Sequence, residues 1–308
     1  MLHLGKPVRF NRDMPRIRLD LAYDGTFFSG WAAQPGLRTV EGVLTSALVT
    51  VLREPVRLTV AGRTDAGVHA AAQVVHFDAS TEAWAALPGR SDRLPEAALL
   101  TRLAGVLARE AQVSLPRTPR GAGDVVVTGA RSVPQAFDAR FGALSRRYTY
   151  RIADAAASRD PARRATVLWL PDRLDVRAMG ASAVPLLGEH DFLSYCKPRQ
   201  GATTIRTLRT LTWRRAAGGP DSGLVVLTVV ADAFCHSMVR SLVGAGLAVG
   251  QGRKPVTWPG ELLAARTRDG AAPVAPPHGL TLEEIVYPAD DDLAAQAERA
   301  RTTRRLTC

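Results

Sequence analysis

The sequence predicts an α+β protein, because segments with the two-residue period of strands are mixed with segments that have helical spacing. Residues 16–23, RIRLDLAY, alternate polar and apolar side chains, as a strand with one buried face does. Residues 40–52 carry an apolar stripe at the spacing of an amphipathic helix. Segments 208–214 and 224–231 also alternate, and the Gly-rich AAGGPDSG between them is typical of a hairpin. Hairpins mixed with helices favour an α+β fold over a doubly wound parallel sheet.

The first half of the chain begins with the strand at 16–23, in which Ile17, Leu19 and Ala22 are expected to be buried. Thr39 is the expected N-cap of the helix that follows, because its side-chain oxygen can accept a free backbone N–H. The other elements predicted in this half are strands at 58–64 and 72–79, a helix at 94–112, a surface loop at 117–123, and strands at 124–132 and 147–152.

The second half follows a polar stretch rich in Ala and Arg, which is the predicted connection between the halves. It contains predicted helices at 175–187 and 238–249 on either side of the hairpin. A chain of 308 residues permits one large domain or two similar halves. The predicted segments are an N-terminal extension, a first half, a connection, a second half and a charged tail: 1–15, 16–152, 153–166, 167–288 and 289–308.

The charge balance points to a polyanionic partner. Forty Lys and Arg residues against 29 Asp and Glu residues give a net charge of +11 and a pI of about 10.5. Such an excess is the electrostatic signature of nucleic-acid binding, although a generally basic proteome would also produce it. The 46% hydrophobic and 22% charged composition excludes a largely disordered chain.

Cysteine usage and hydropathy predict a reducing, cytoplasmic setting. Cys196, Cys235 and Cys308 are too few and too scattered for a disulfide framework or a paired-ligand zinc site. No apolar run is long enough to span a bilayer, and the first residues lack the apolar stretch of a signal peptide. His69 and His76 lie without a HExxH or CxxC motif, so no metal site is expected.

The densest chemical signal is GRTDAGVHA, residues 62–70, which lies between two predicted strands. A carboxylate on a Gly-flanked turn can project into a cleft, because small neighbours let a substrate approach the backbone closely. Asp65 is therefore a candidate catalytic residue. A plain turn is the alternative, since Asp and Gly are both frequent in turns.

This motif, with the QVVHFD that follows, closely resembles the catalytic motif of the tRNA pseudouridine synthase A (TruA) family. Further segments resemble other family motifs in the same order, so that the resemblance spans Arg16 to Pro288, and several ordered motifs are more specific than one short pattern. These segments are YDGTFFSGW at 23–31, TVEGVL at 39–44, FDARFGALSRRYTY at 137–150, GEHDFLSYC at 188–196, ADAFCHSMVRSLVG at 231–244 and APPHGLTLEEIVYP at 275–288.

The resemblance implies both a fold and an activity. The implied fold has two related halves that form one extended, mainly antiparallel central sheet flanked by helices, with a basic central cleft. The implied activity is isomerisation of uridine to pseudouridine in the anticodon stem-loop of tRNA, at positions 38 to 40. Family members need no cofactor or metal and act as homodimers. The alternatives are a non-catalytic RNA-binding protein or RNA chaperone on the same scaffold, and a metal-dependent hydrolase.

Three residues take the central roles that the resemblance implies. Asp65 matches the nucleophile, which attacks either C1' of the ribose or C6 of the base. Arg240 matches the arginine that pairs with this carboxylate; a solvated helix arginine is the alternative, although its apolar neighbours favour a buried partner. Tyr148 matches the tyrosine that stacks on the target base and assists proton removal from C5. Tyr150 is its rival, and either ring is also suited to a strand in the core.

The remaining site residues have supporting roles in the resemblance. Arg63 matches an arginine that helps to extrude the uridine, Thr64 is expected to orient the loop, and Leu280 resembles an apolar residue that packs against the base. The chain departs from the family pattern at Thr281, where Tyr is usual, and at Ala32, where Gln is usual. His69 is expected to support the aspartate loop or contact RNA, and Arg146 and Arg147, with Arg206 and Arg209, to line an RNA groove.

Overall fold

One mixed sheet runs through the protein in the computed structural model, which describes residues 14–197 and 203–302. The strands, in chain order, are β1 (Arg16–Tyr23), β2 (Thr59–Val60), β3 (His69–Asp78), β4 (Val125–Val133), β5 (Ser145–Ala153), β6 (Leu168–Trp169), β7 (Gly188–Asp191), β8 (Ile205–Arg215), β9 (Val225–Ala231) and β10 (Leu280–Val286). Their order across the sheet is β4-β1-β3-β10-β5-β9-β8-β7, with β2 beside β3 and β6 beside β5. Most neighbours are antiparallel, which confirms the predicted fold class.

Helices cover this sheet and pack on one another. They are α1 (Val40–Leu52), α2 (Thr81–Ala86), α3 (Pro95–Ser114), α4 (Val176–Ala183), α5 (Met238–Gly250), α6 (Trp258–Ala265) and α7 (Leu293–Arg301). Thr39 caps α1 as predicted, because its side-chain oxygen accepts the N–H of Gly42. The predicted helix at 175–187 ends at Ala183 in the structure, and a 3-10 turn containing Pro185 follows, because proline cannot continue the α-helical hydrogen bonds.

Strand β1 follows a strict alternation from end to end. Ile17 and Leu19 are buried as predicted, but the apolar series continues with Leu21 and Tyr23. Ala22 is only half-buried, so its predicted burial is wrong. The reason is that side chains on one face of a strand recur at every second residue, and Ala22 falls on the opposite face from Ile17.

The sheet joins its two sides through β10, a strand from near the end of the chain. β10 pairs in parallel with β3, where Thr281 lies opposite His69 and Leu282 opposite Ala70. Its other edge is antiparallel to β5, and β5 continues to β9. The predicted first half ended after β5, but in the sheet β5 lies among the strands of the second half. The junction between the two sides therefore brings the loop before β3 close to the second half.

Helix α5 is buried along almost its whole length and packs against α4 and α6. Two of its glycines permit this close packing: a Cβ at Gly244 would stand 1.6 Å from the Pro273 oxygen, and one at Gly246 would stand 2.6 Å from the Trp213 ring. No side chain fits either position. The middle of α5 therefore lies in close contact with Pro273 and Trp213.

Several elements were not predicted: α2, α6 and the strands β6, β7 and β10. The predicted strand at 58–64 is reduced to the two residues of β2, whereas the loop at 117–123 contains no helix or strand, as predicted. The predicted extension at 1–15 lies almost entirely outside the described residues, as do 303–308 of the tail, including Cys308. Cys196 and Cys235 are paired through their sulfur atoms, a contact that the sequence analysis did not predict. A separation of 39 residues gave no indication of this contact.

Within residues 14–197 and 203–302, no helix combines the length and the apolar character that crossing a bilayer requires.

Candidate active site

Asp65 lies on a loop between β2 and β3 that neighbouring segments hold at several points. The N–H of Trp31 donates to the Thr64 oxygen at 3.0 Å, and the N–H of Gly67 donates to the Phe28 oxygen at 3.3 Å. Gly30 makes this approach possible, since its φ is 90° and a Cβ there would stand 3.0 Å from the Thr64 oxygen. The backbone that carries the carboxylate is therefore fixed before any substrate binds.

Buried polar side chains hold the same loop from beneath. Thr64 is buried, and its Oγ1 lies 2.8 Å from the hydroxyl of Tyr23. Gln73, fully buried in β3, donates from Nε2 to that hydroxyl at 3.2 Å and to the Gly62 oxygen at 2.8 Å. Burial raises the pKa of Tyr23 to about 12, so this hydroxyl stays protonated. Thr64 is thus bonded beneath the loop that it was expected to orient, and Gln73 is a further support that the sequence analysis did not name.

The carboxylate of Asp65 meets three side chains from the segment that begins α5. Its Oδ2 accepts from Arg240 Nη1 at 3.0 Å and from Ser237 Oγ at 3.1 Å. Its Oδ1 lies 3.4 Å from His236 Nε2. The Arg240 guanidinium is itself oriented, because Nε donates to the Ala275 oxygen at 2.7 Å. The predicted pairing of Asp65 with Arg240 is present in the structure, and the alternative of a solvated arginine is not.

The start of α5 adds a favourable field at this carboxylate. Helix N-termini carry a partial positive charge from their free N–H groups, which stabilises a nearby anion. Ser237 is the cap residue of this helix and Arg240 lies in its first turn. The side chain of Asp65 is 24% exposed and that of Arg240 is 18% exposed, so the pair is accessible from solvent without being fully hydrated. A substrate can therefore reach the carboxylate of Asp65.

Tyr148 lies beside the aspartate loop. A Cβ on Gly62 would stand 4.0 Å from its hydroxyl, and the Phe234 ring meets it edge to face at 5.2 Å between centroids. Burial raises the pKa of the Tyr148 phenol well above its ordinary value, and the negative charge of Asp65 adds to the rise. The phenol is therefore neutral at physiological pH.

Tyr150 differs from Tyr148 although both rings share one face of β5. Tyr150 is fully buried, and its hydroxyl donates to the Pro276 oxygen at 2.8 Å. Tyr148 keeps 7% of its surface exposed. Because the Tyr150 hydroxyl is already bonded to the main chain, the geometry favours Tyr148 as the residue that a base can reach.

Arg146 does not line a groove, contrary to expectation. It is only 8% exposed, and its guanidinium donates to four main-chain oxygens. These are the oxygens of Ala61 at 2.9 Å, Arg140 at 2.7 Å, Ala143 at 3.4 Å and Asp232 at 2.5 Å. A guanidinium has five N–H donors, so little capacity remains for a phosphate. Arg146 instead ties the segment before Asp65 to the segment before Ser237.

The other basic candidates lie nearer the surface. Arg63 is exposed and directly precedes the buried Thr64, so its side chain is free to meet RNA. Arg147 lies on the opposite face of β5 from Tyr148, where its Nε donates to Glu284 Oε2 at 3.1 Å. That pair is half-exposed and partly neutralises the charge expected to attract RNA.

His69 and Leu280 are both buried. His69 is 4% exposed; its Nδ1 accepts the N–H of Gly25 at 3.0 Å, and its Nε2 lies 2.9 Å from the Ala165 oxygen. It supports the chain around β3 through these two bonds. Leu280 lies opposite Tyr150 in the β10–β5 pairing, and Leu282 is the leucine opposite Tyr148.

Across the described part of the chain, no group of three or more His, Cys, Asp and Glu side chains is arranged to hold a metal ion. The chemistry that the observed residues can perform is that of a carboxylate, fixed by a guanidinium and accompanied by a neutral phenol. Fold and site together define an α+β protein with a candidate site for nucleophilic catalysis by aspartate.

Comparisons with known proteins agree with this class. The sequence profile of the tRNA pseudouridine synthase family matches residues 182–288. The chain is 51% identical over 293 residues to the tRNA pseudouridine synthase A of Streptomyces griseus, covering 94% of each protein. It is 52% identical over 290 residues to that of Frankia casuarinae, covering 94% of this chain and 95% of the relative. For Leifsonia xyli the identity is 50% over 301 residues, with 94% and 98% covered. The chain belongs to the tRNA pseudouridine synthase A family.

Proposed function

We propose that this protein isomerises uridine to pseudouridine in tRNA and that Asp65 is the nucleophile. The observation that carries the proposal is the contact between Asp65 Oδ2 and Arg240 Nη1 at 3.0 Å, between residues 175 positions apart. The guanidinium hydrogen-bonds to the carboxylate and holds it in one orientation, and a carboxylate is the group that attacks in the proposed reaction. Membership of the family supplies the reaction in which such a carboxylate is used.

In the proposed reaction the carboxylate forms a covalent bond to the target nucleotide, at C1' of the ribose or at C6 of the base. In the first route the glycosidic bond breaks as the ester forms, the uracil rotates and its C5 bonds to C1', releasing the carboxylate. In the second route the carboxylate adds to C6 of the base, the glycosidic bond breaks, the base rotates, C5 bonds to C1' and the carboxylate leaves C6. In either route C5 loses its proton and N1, freed from the sugar, gains one. The product is an isomer of the substrate, so no other reactant is consumed.

Tyr148 and Arg63 have distinct roles in this proposal. The neutral phenol of Tyr148 offers a flat ring on which the flipped base stacks, and its hydroxyl relays the proton that leaves C5. Arg63 occupies the space that the uridine leaves, which offsets a cost of a few kcal/mol for unstacking. The exposed position of Arg63 beside the loop supports this role.

The proposal also includes which uridines are modified, how the protein assembles and where it acts. The targets are uridines 38 to 40 of the anticodon stem-loop, and a homodimer acting in the cytoplasm binds the tRNA without a cofactor. The net charge of +11 supports binding to a polyanion. The resemblance of the motifs to those of the family supports the choice of uridines.

Mapping of pseudouridine in a defined RNA tests the proposal. Purified protein is incubated with unmodified tRNA transcripts and an excess of chelator, and pseudouridine is located by carbodiimide labelling and primer extension. New stops at positions 38 to 40 are expected, and transcripts with cytidine there give none. An RNA chaperone would bind the transcripts without producing any stop, and a metal-dependent hydrolase would lose its activity in the chelator.

A further inference from the structure

Ser237, at the start of α5, has an unusual backbone conformation. Its φ and ψ are 62° and 8°, in the left-handed region. Residues other than glycine rarely occupy that region, because the Cβ then crowds the backbone. Backbone strain of this kind is concentrated at functional sites, and Ser237 lies directly beside the carboxylate of Asp65. We therefore infer that the position of Ser237 is important for the site.

The side chain of Ser237 does not serve the helix. A serine in the cap position usually accepts an N–H from the first turn, but no such bond is present in α5. The main-chain oxygen of Ser237 still accepts the N–H of Ser241 at 3.0 Å, so the helix begins normally. The hydroxyl instead donates to Asp65 Oδ2 at 3.1 Å. The usual capping bond is replaced by a bond to the opposite half of the protein.

The two oxygens of Asp65 are consequently unequal. Oδ2 accepts from both Ser237 and Arg240, whereas the ion-pair contact of Oδ1 within the described residues is with His236 Nε2, at 3.4 Å. Two donors at one oxygen fix the plane of the carboxylate, because each directs a hydrogen at a different lone pair. Oδ1 is then the oxygen left to form a bond with carbon.

We propose that Ser237 is a positioning residue, which with Arg240 fixes Asp65 Oδ2 so that Oδ1 is the attacking oxygen. This inference rests on the proposed function. In this inference the Ser237 hydroxyl helps to orient the Asp65 carboxylate towards the carbon that it attacks, and such orientation of reacting groups lowers the barrier. Ser237 itself does not touch the reacting atoms.

The backbone around Ser237 is held independently of its hydroxyl. Arg146 bonds to the Asp232 oxygen, the N–H of Lys197 donates to the His236 oxygen at 3.1 Å, and the N–H of Met238 donates to the Cys235 oxygen at 3.0 Å. Removal of the hydroxyl is therefore expected to leave the loop in place. A kinetic effect of its removal would report on the carboxylate rather than on folding.

The test is a set of three variants at this position, with steady-state and single-turnover pseudouridine formation as readouts. S237G removes the hydroxyl and relieves the left-handed strain; S237A removes the hydroxyl and keeps the strain. S237N keeps a donor on a residue that tolerates this conformation. We expect kcat to fall about tenfold in S237G and S237A, as for loss of one hydrogen bond to a charged group. KM should stay within about twofold, and S237N should recover most of kcat.

Arg53 provides the matched control. It is a second non-glycine residue in the left-handed conformation, and it lies at the C-terminal end of α1, 184 positions before Ser237 in the sequence. R53G relieves similar strain and should leave kcat unchanged. The inference is contradicted if S237G keeps the wild-type kcat, or if S237N is as slow as S237G. If the wild-type protein forms no pseudouridine, the proposed function fails and the inference falls with it; an active wild type with an equally active S237G refutes the inference alone.

Discussion

The guanidinium of Arg146 donates to the main-chain oxygen of Ala61 at 2.9 Å, four residues before Asp65. The same side chain reaches the oxygen of Asp232, which precedes Ser237 and Arg240. One buried arginine thus joins the two segments that form the candidate site. No carboxylate pairs with it in the hydrogen bonds described, so its charge is offset by main-chain dipoles.

Replacement of Arg146 is expected to destabilise the whole protein. In R146K the ammonium cannot reach four separate oxygens, and each buried oxygen left without a donor costs about 1–3 kcal/mol. We expect the free energy of unfolding in urea to fall by roughly 2–4 kcal/mol. Arg147 is the matched control, since it is half-exposed and paired with Glu284; R147K should change that free energy by less than about 0.5 kcal/mol. If R146K and R147K lowered the free energy of unfolding equally, the structural role assigned to Arg146 would be contradicted.

The two tyrosines of β5 should respond differently to loss of their hydroxyls. Y148F keeps the ring for stacking but loses the proton relay, and a decrease in kcat of about 100-fold is expected. Y150F loses only the bond to the Pro276 oxygen, so kcat should be retained while the free energy of unfolding falls by about 1 kcal/mol. Single-turnover kinetics and urea unfolding separate the two effects. A larger kinetic defect in Y150F than in Y148F would reverse the assignment of roles.

The buried His76 should make stability depend on pH. Burial lowers the pKa of His76 to about 4, with a further contribution from Arg16. Between pH 6.5 and 4 the unfolded chain therefore binds a proton that the folded chain does not, and the free energy of unfolding falls as the pH falls. The full difference corresponds to about 3 kcal/mol.

Substitution of His76 isolates this contribution from other titrating groups. His76 Nδ1 accepts the N–H of Ala139 at 3.0 Å, and H76Q keeps an acceptor without a titrating ring. Urea unfolding of both proteins at several pH values gives the difference in slope. The wild type should lose more stability than H76Q between pH 6.5 and 4. Parallel pH curves for the two proteins would show that His76 is protonated equally in both states.

The local elements were predictable because their signals lie in neighbouring residues. The cap at Thr39 depends on a contact with Gly42, and the buried face of β1 follows from a period of two residues. β10 escaped prediction because its neighbours in the sheet, β3 and β5, are distant in the chain. Long-range pairing of this kind leaves no periodicity that identifies the partner strand.

The candidate site was predictable only through resemblance, since Asp65 and Arg240 come from opposite halves. The contact of Ser237 with Asp65 spans 172 positions, and no pattern within the FCHSMVR segment indicates it. Burial of Arg146 did have a local signal. In β5 the buried face contains Tyr148, Tyr150 and Ile152, and Arg146 continues that two-residue series. Alternation alone would therefore have predicted that Arg146 is buried and that Arg147 lies on the opposite, more exposed face.

The central claim is that the carboxylate of Asp65 performs the reaction and does not merely hold the loop. D65N retains the shape of the side chain but has no anionic oxygen, and Asp269 is an exposed aspartate that offers a matched D269N control. The direct test measures single-turnover pseudouridine formation and tRNA affinity for the wild type and both variants. The account predicts no detectable pseudouridine with D65N, tRNA affinity within about threefold of the wild type, and full activity of D269N. Pseudouridine formation by D65N at a rate near that of the wild type would contradict it.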